Sequence, residues 1–306
     1  MQSPHIPVLL NEVLNIFSDL NEGVFLDCTL GYAGHSYELL KHHPKLYLYA
    51  CDQDEMALEF SKKKLADFSQ RVQIIKSNFC DILDKIDTNN LKGILADIGV
   101  SSLQLDYNER GFALDSDFLD MRMDKSTTLD AKMVVNSYSK EKLRHIFLEY
   151  GELENEAEII AQKICKARLN KEITTAKELV EIIGKGYFKG RKVLKAILVF
   201  QAIRIEVNNE LGVLKQFLEK LKKIKPKGCK VAIISFHSLE DRMIKNAFKE
   251  WSKNCICHEM TLKCECGNNH SLGKILSKKA IIASKEEIYY NSRSSCAKMR
   301  VFQFLG

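Results

Sequence analysis

Thirteen residues near the start of the chain, Val24-Phe-Leu-Asp-Cys-Thr-Leu-Gly-Tyr-Ala-Gly-His-Ser36, constrain the fold most. A short apolar run, Val24 to Leu26, ends in Asp27. A turn of small residues follows, with Gly31, Ala33 and Gly34, and then a helical segment from Tyr37 to Lys41. Strand, glycine turn and helix open a nucleotide-type βα unit. Glycine lets the backbone reach positive φ and approach a ligand closely. A second apolar run, Leu46 to Cys51, ends in Asp52. An acid at that point is placed to accept hydrogen bonds from a ribose diol.

The turn is Gly-x-x-Gly, without the third glycine of the dinucleotide fingerprint, and no Gly-x-x-x-x-Gly-Lys-[Ser/Thr] loop occurs anywhere. A glycine pair alone is as compatible with an ordinary tight turn as with a cofactor loop. With Asp27 before it and Asp52 after it, it favours a cofactor with ribose and adenine but no phosphate cradle. That points to S-adenosylmethionine rather than NAD or ATP.

Arg71 to Lys76 reads as a third strand leading to Ser77-Asn-Phe79, and Gly93 to Asp97 as a fourth. Strands alternating with helical segments argue a parallel, doubly wound sheet, whose ligands sit beyond the carboxyl ends of the strands. Asp27, Asp52, Phe79 and Asp97 all fall on that rim. From about Leu105 to Gly190 no convincing strand appears. Lys140–Tyr150 and Glu154–Leu169 read as helices, and Thr175-Ala-Lys-Glu178 as a capping box opening a third, ended by Gly184. A long helix is expected over Val193–Lys223, then a fifth strand, Cys229–Ser235. Ala280–Ala283 and Met299–Phe304 suit an antiparallel pair at the far edge. The expected fold is α/β, a class I (Rossmann-like) methyltransferase sheet with an inserted all-helical domain; the class is a fold analogy. The expected division is a discontinuous methyltransferase domain, 1–105 and 191–306, and a helical substrate-recognition insert, 106–190. A stabilising or dimerising bundle is the competing reading of the insert.

The 306 residues suffice for one large or two modest domains. No apolar run approaches the roughly 18 residues of a membrane span, and no secretory signal is visible at the start. The ten cysteines therefore read as reduced thiols of a cytoplasmic protein. The net charge is +6, but Lys185–Lys230 holds thirteen basic and three acidic residues, a local +10. That suits an anionic partner, nucleic acid first, or a solvated lysine-rich face. Cys255-Ile-Cys257 and Cys264-Glu-Cys266, with His258 and His270 nearby, are either four zinc thiolates or reduced loop thiols. One residue separates each pair where zinc sites usually have two to four. No metal is assigned from the sequence.

Eight stretches run in order over nearly the whole chain: His5-x-Pro-Val-Leu-Leu-Asn-Glu12, Gly31-x-x-Gly-His-Ser36, Asp97-Ile-Gly-Val-Ser-Ser102 with Gln104-Leu-Asp106, Glu109-Arg-Gly-Phe112, Leu119-Asp-Met-Arg-Met-Asp124, Phe200-Gln-Ala-Ile-Arg-Ile-Glu-Val-Asn208, Ser235-Phe-His-Ser-Leu-Glu-Asp-Arg242 and Asn291-Ser-Arg-Ser-Ser295. In these the sequence resembles the bacterial 16S rRNA (cytosine(1402)-N(4))-methyltransferase family, called RsmH or MraW. The resemblance implies S-adenosylmethionine-dependent methylation of the exocyclic N4 of a cytidine in the decoding region. Its partner would be 16S rRNA or the small ribosomal subunit, with no membrane; a homodimer is left open. The cofactor contacts it implies are Ala33, Gly34, His35, Asp52, Phe79, Asp97 and Gln104. The family usually reads Gly-x-Gly-Gly-His; here Ala33 stands for the middle glycine. At positive φ that alanine costs about 1 kcal/mol.

Methyl transfer to an amino nitrogen needs positioning and an acceptor for the amino hydrogens. Asp97, or a carbonyl just after it, is the candidate catalytic group; the resemblance places Asp97 on the cofactor instead. Arg110, Arg122, Arg204, Arg242 and Arg293 are candidates for RNA phosphates or for structural ion pairs. His237 reads as a strand-end hydrogen bonder or a proton acceptor, and His35 as a positioning group. The competing functions are a non-catalytic rRNA-binding or assembly factor on the same fold and an NAD-dependent oxidoreductase.

Overall fold

A computed structural model describes residues 6–184, 186–188, 193–258 and 263–306, the side chains of Ser102 and Leu103 excepted. His5, Lys185, Lys189, Arg191 and Lys192 lie outside the described residues. In chain order the elements are α1 (Leu10–Ile16), β1 (Gly23–Asp27), α2 (Gly34–His42), β2 (Leu46–Asp52), α3 (Glu55–Lys64), β3 (Val72–Lys76) and β4 (Leu91–Asp97). Helices follow: α4 (Ser102–Asp106), α5 (Ala131–Ser137), α6 (Lys140–Glu149), α7 (Ala157–Asn170), α8 (Ala176–Ile183), α9 (Lys195–Asn208) and α10 (Glu210–Ile224). The chain then forms β5 (Lys230–Ser235), α11 (Ser238–Trp251), β6 (Gly273–Ile275), β7 (Ile281–Ile282), α12 (Lys285–Tyr290) and β8 (Lys298–Phe304).

The chain divides into two compact units, 1–99 with 213–306, and 100–212. The first is built on a sheet of order β3-β2-β1-β4-β5-β8-β6, with β7 paired to β8. β1 to β5 are parallel and β8 runs antiparallel to β5. The β7–β8 pairing is the antiparallel pair expected, but β8 does not lie at the far edge: it is enclosed between β5 and β6. Successive strand residues serve opposite faces, as a period of two requires. In β5, Val231 and Ile233 pack with Phe217, Ile244 and Phe248, whereas Ala232 and Ile234 pack with Leu39, Leu48 and Met299. Apolar residues on both faces mark a sheet covered on both sides. The strand order reverses between β1 and β4, which is where such sheets open their ligand crevice. Asp27 and Asp97 end those two strands.

The second unit is helical. Val134, Leu143, Phe147, Ile160, Ile164, Leu179, Val199 and Ile203 form its core. It extends beyond the 106–190 expected, because α9 buries Leu198, Val199, Ala202 and Ile203 in this core. The single helix expected over Val193–Lys223 is broken. Asn209 stands at φ 48 and ψ 39, a left-handed residue that ends α9 and turns the chain into α10. Asparagine tolerates that conformation better than most residues.

Candidate functional site

The turn after β1 is organised by Asp27. Its Oδ1 accepts the Thr29 N–H (3.1 Å) and its Oδ2 the Ser36 hydroxyl. Burial pushes its pKa up to about 6, against the lowering effect of those two hydrogen bonds. Gly31 has φ 48; its N–H donates to Asp52 Oδ2 (2.8 Å) and its carbonyl accepts the Ser61 hydroxyl (2.6 Å). A Cβ placed on Gly31 would meet only the Thr29 carbonyl oxygen, at 4.0 Å, so the backbone there borders open space. Ala33 caps α2 in the left-handed region, φ 53 and ψ 35. The strain stated for the positive-φ case is therefore present. It is held by bonds on both sides, Ala33 N–H to Leu30 O (2.7 Å) and Tyr37 N–H to Ala33 O (3.0 Å).

Gly34 serves packing. A Cβ there would lie 2.3 Å from Pro7 Cγ. His35 fastens the same segment: its buried Nε2 donates to Val8 O (2.9 Å). Burial drives its pKa down to about 4, so the ring is neutral and positions rather than titrates. The segment is also tied to the far end of the sequence. Leu9 N–H donates to Glu287 Oε1 (2.8 Å) and the Asn291 side chain to Ile6 O (3.1 Å).

Asp52 receives the Gly31 N–H on one oxygen and the Asp54 N–H (2.9 Å) on the other. Burial raises its pKa to about 6. Each carboxylate oxygen has a second lone pair, so a further donor can be accepted. Phe79 follows β3, edge-on to Phe217 at 5.4 Å between ring centres. Its loop is shaped by Asn78, whose Oδ1 accepts the Cys80 and Asp81 N–H groups.

Asp97 differs from these. Its N–H donates to Thr29 Oγ1 (2.7 Å), joining the ends of β4 and β1. Its Oδ1 is buried and has no hydrogen-bond partner. Burial first, then the charges of Asp27 and Glu240, raises its pKa to about 8. An unpaired buried acceptor costs about 1–3 kcal/mol. Here it sits at the point where the sheet opens, next to a turn whose glycine borders free space. Carboxylate acceptors and a close-approach backbone fit a ribose- and amine-bearing cofactor better than a phosphate.

Beyond β5, Phe236 lies against Gly99, where a Cβ would meet its ring at 2.9 Å. His237 caps α11: its Nδ1 accepts the Glu240 N–H (3.4 Å), and Glu240 Oε2 accepts the Phe236 and His237 N–H groups. His237 Nε2 is buried, and Glu240 Oε1 stands 3.1 Å away at angles that make no hydrogen bond. Sequence reasoning missed two parts of this site. One is Thr29, which links two strand ends. The other is α11, whose capping-box spacing, His-x-x-Glu, was hidden by a histidine in the place of Ser or Thr.

Gln104 belongs to the helical unit, where it exchanges hydrogen bonds with Ser101: its N–H donates to Ser101 Oγ (3.2 Å) and its Oε1 accepts the Ser101 N–H (3.0 Å). Three of the five arginines are structural. Arg110 is buried and donates to the carbonyls of Arg122 and Met123. Arg122 grips Asp120, and Arg204 grips Glu210, each through two hydrogen bonds. Much of the basic stretch is likewise paired: Lys195 with Glu156, Lys220 with Asp84, Lys222 with Glu250 and Lys230 with Asp19. Lys215, Lys223, Lys225 and Lys227 are exposed.

Comparison with known proteins agrees along the whole length. The family described as MraW methylase matches residues 2–305. A Campylobacter lari protein named ribosomal RNA small subunit methyltransferase H is 66% identical over 304 residues, 99% of this chain and 100% of that one. A Campylobacter jejuni protein of the same name (serotype O:23/36, strain 81-176) is 62% identical over 305 residues, covering 99% and 98%. A solved rRNA methylase from Streptococcus thermophilus aligns over 99% of each chain at 8% identity, with a TM-score of 0.41, too loose to add to the argument. The sequence profile and the close relatives rule out the NAD-dependent reading: the chain belongs to the MraW methylase family.

Proposed function

We propose that the protein is an S-adenosylmethionine-dependent methyltransferase acting on the exocyclic N4 of a cytidine in the decoding region of 16S rRNA. The observation that carries the reading is Asp97 Oδ1, a buried acceptor without a partner at the strand-order reversal, beside the Gly31 turn. The relatives' shared name supplies the substrate class.

The residues proposed to hold the cofactor are Ala33, Gly34, His35, Asp52, Phe79, Asp97 and Gln104, the last on the resemblance alone. Gly31 lets the backbone come close, and Asp52 keeps acceptor capacity for a ribose diol. Phe79 offers a half-buried aromatic face, while His35 and Gly34 hold the turn's shape through Val8 and Pro7. Bound S-adenosylmethionine supplies an electrophilic methyl group on a sulfonium. A cytosine amino nitrogen is a weak nucleophile because its lone pair is delocalised into the ring. Asp97, when ionised, accepts from that amino group or from the cofactor's amine. The ammonium and sulfonium charges of the bound cofactor would favour the carboxylate over the acid. Phe236, half-buried past β5, is the aromatic ring proposed to stack on the base, which must leave its own stack or be single-stranded already. The helical unit is proposed to recognise the rRNA, and the cytoplasm is the compartment this implies.

A second reading, a non-catalytic assembly factor, draws on the strained Ala33. Titration calorimetry with S-adenosylmethionine, using NAD as control, followed by transfer of labelled methyl to small subunits lacking the modification, separates the two. Micromolar binding with labelled N4-methylcytidine is expected. Binding without transfer favours the assembly factor, and transfer to another atom refutes the N4 assignment.

A further inference from the structure

Among its described residues, the loop joining α11 to β6 has no apolar core. None of its described residues from Ser252 to His270 is buried, and Ile256, its one large aliphatic side chain among them, is 63% exposed. Four thiols nevertheless converge there. Cys255 Sγ lies 3.6 Å from Cys264 Sγ and 3.7 Å from Cys266 Sγ, and Cys264 and Cys266 Sγ are 3.6 Å apart. With Cys257 they form a set whose sulfurs all lie within 4.8 Å of one another, and none is in a disulfide. We propose that Cys255, Cys257, Cys264 and Cys266 bind one zinc ion tetrahedrally, and that this ion, in place of a core, holds the loop.

The spacing of the sulfurs suits zinc. A Zn–S bond of about 2.3 Å gives a sulfur tetrahedron with edges of about 3.8 Å. A disulfide would need about 2.0 Å. The backbone around the sulfurs is arranged in a matching pair of contacts. Ile256, between the first two cysteines, donates its N–H to Cys266 Sγ (3.4 Å); Glu265, between the second two, donates its N–H to Cys257 Sγ (3.3 Å). Each pair thus supports a sulfur of the other, and N–H groups directed at sulfur favour the thiolate. This crossing is how a one-residue spacing closes a site usually built on longer ones. His270 is an outer support: its Nε2 donates to Cys266 O (2.7 Å) and its N–H to Asn254 O (2.9 Å), fastening the loop to the end of α11.

Four sulfur ligands leave no open position, so the ion is structural and does not enter the methyl transfer. Sulfur donors in a tetrahedron select zinc or iron over magnesium and calcium. A coreless loop is also where a metal contributes most, since binding energy becomes folding energy.

Elemental mass spectrometry of full-length protein purified with its thiols reduced is the test. About one zinc per chain is expected. Metal-stripped protein is expected to take up Co2+ with thiolate-to-cobalt charge-transfer and tetrahedral d–d absorption, and to be cut within residues 252–272 about tenfold faster than the zinc form. Cys264→Ser is expected to lose the cobalt spectrum. The wild-type metal content decides the matter even if that variant does not fold. Reduced protein that contains no zinc and takes up neither Zn2+ nor Co2+ overturns the proposal. So does resident iron, or a metal-free chain whose mass is four hydrogens low, as two disulfides would make it.

Discussion

Two irregular regions of the molecule differ in how far they satisfy their buried polar groups. In the helical unit, the stretch from Tyr107 to Asp130 has almost no regular structure, yet it is densely tied, and Arg110 Nε is its one buried polar side-chain atom without a hydrogen bond among the described residues. Asn208 accepts the Met123 N–H (2.7 Å) and donates to Met121 O (2.8 Å) and Arg204 O (2.9 Å). Arg110 bridges two carbonyls, and the Asp120 and Leu119 carbonyls accept the first N–H groups of α5. On the rim of the sheet, Asp97 Oδ1 and His237 Nε2 are buried without hydrogen bonds. Tightly satisfied polar groups specify a shape. Groups left short of a partner cost stability and are tolerated where something else is meant to bind. Both regions fall in the motifs shared with the family, so motif membership alone does not separate scaffold from site. Hydrogen-bond accounting narrows it: Arg110 leaves Nε without a bond but is held by two carbonyls, whereas Asp97 Oδ1 is a carboxylate oxygen with no partner at the point where the sheet opens.

Substitutions on the two sides sharpen that contrast. The largest effect is expected from Asp97→Asn, which should lower methyl transfer by about a hundredfold or more, the usual loss for one positioned polar group. It should not destabilise the protein. The native state holds a proton on Asp97 that the unfolded chain releases, so wild-type stability falls as pH rises from the ordinary carboxylate range to about 8. Asn removes that loss, so the variant's melting temperature should exceed wild type by more at pH 8 than at pH 6. A variant that melts earlier at both pH values would break the comparison.

Asn208→Ala should do the reverse. It strands the Met123 N–H and the Met121 carbonyl and is expected to cost about 2–4 kcal/mol in urea unfolding, with turnover per folded molecule unchanged. Next is pH: S-adenosylmethionine affinity should weaken, approaching tenfold per unit, as pH falls below about 8, because a cationic cofactor must displace the Asp97 proton. Calorimetry in buffers of different ionisation enthalpy should detect about one proton released at pH 7. A flat affinity would remove Asp97 from the binding site. The smallest effect is expected from Ala33→Gly. Relief of about 1 kcal/mol of strain is offset by a lost buried methyl, about 0.8 kcal/mol, and by the added freedom of the unfolded chain. Stability should change by less than about 1 kcal/mol.

The sheet was legible because both its faces are covered, so each strand is a short apolar run, and because Asp27, Asp52 and Asp97 mark three strand ends. The turn was legible from its small residues. The break at Asn209 was not, since the apolar spacing of α9 continues into α10 and a left-handed asparagine leaves no mark in periodicity. The burial of β8 between β5 and β6 depends on pairing across more than sixty residues, which no local pattern records. Ala33 could be named as a departure, but its φ is set by the Leu30 and Tyr37 hydrogen bonds around it. The cysteines were visible, while their convergence depends on the backbone crossing between the two pairs.

The strap from Ile6 to Leu9 carries a consequence for synthesis. Its contacts to Glu287 and Asn291 reach residues synthesised 278 and 285 positions later, and β8 enters the sheet later still. A growing chain folds from its N-terminal end, so the turn after β1 can form early on its bonds to Asp27, Asp52 and Leu30, but the strap in front of it gains its distant contacts only after residues 287–291 have emerged. Until then Pro7 and Val8 are held through Gly34 and His35, and the sheet is open beyond β5. The strap is locked from both sides only when residues 287–291 return to it.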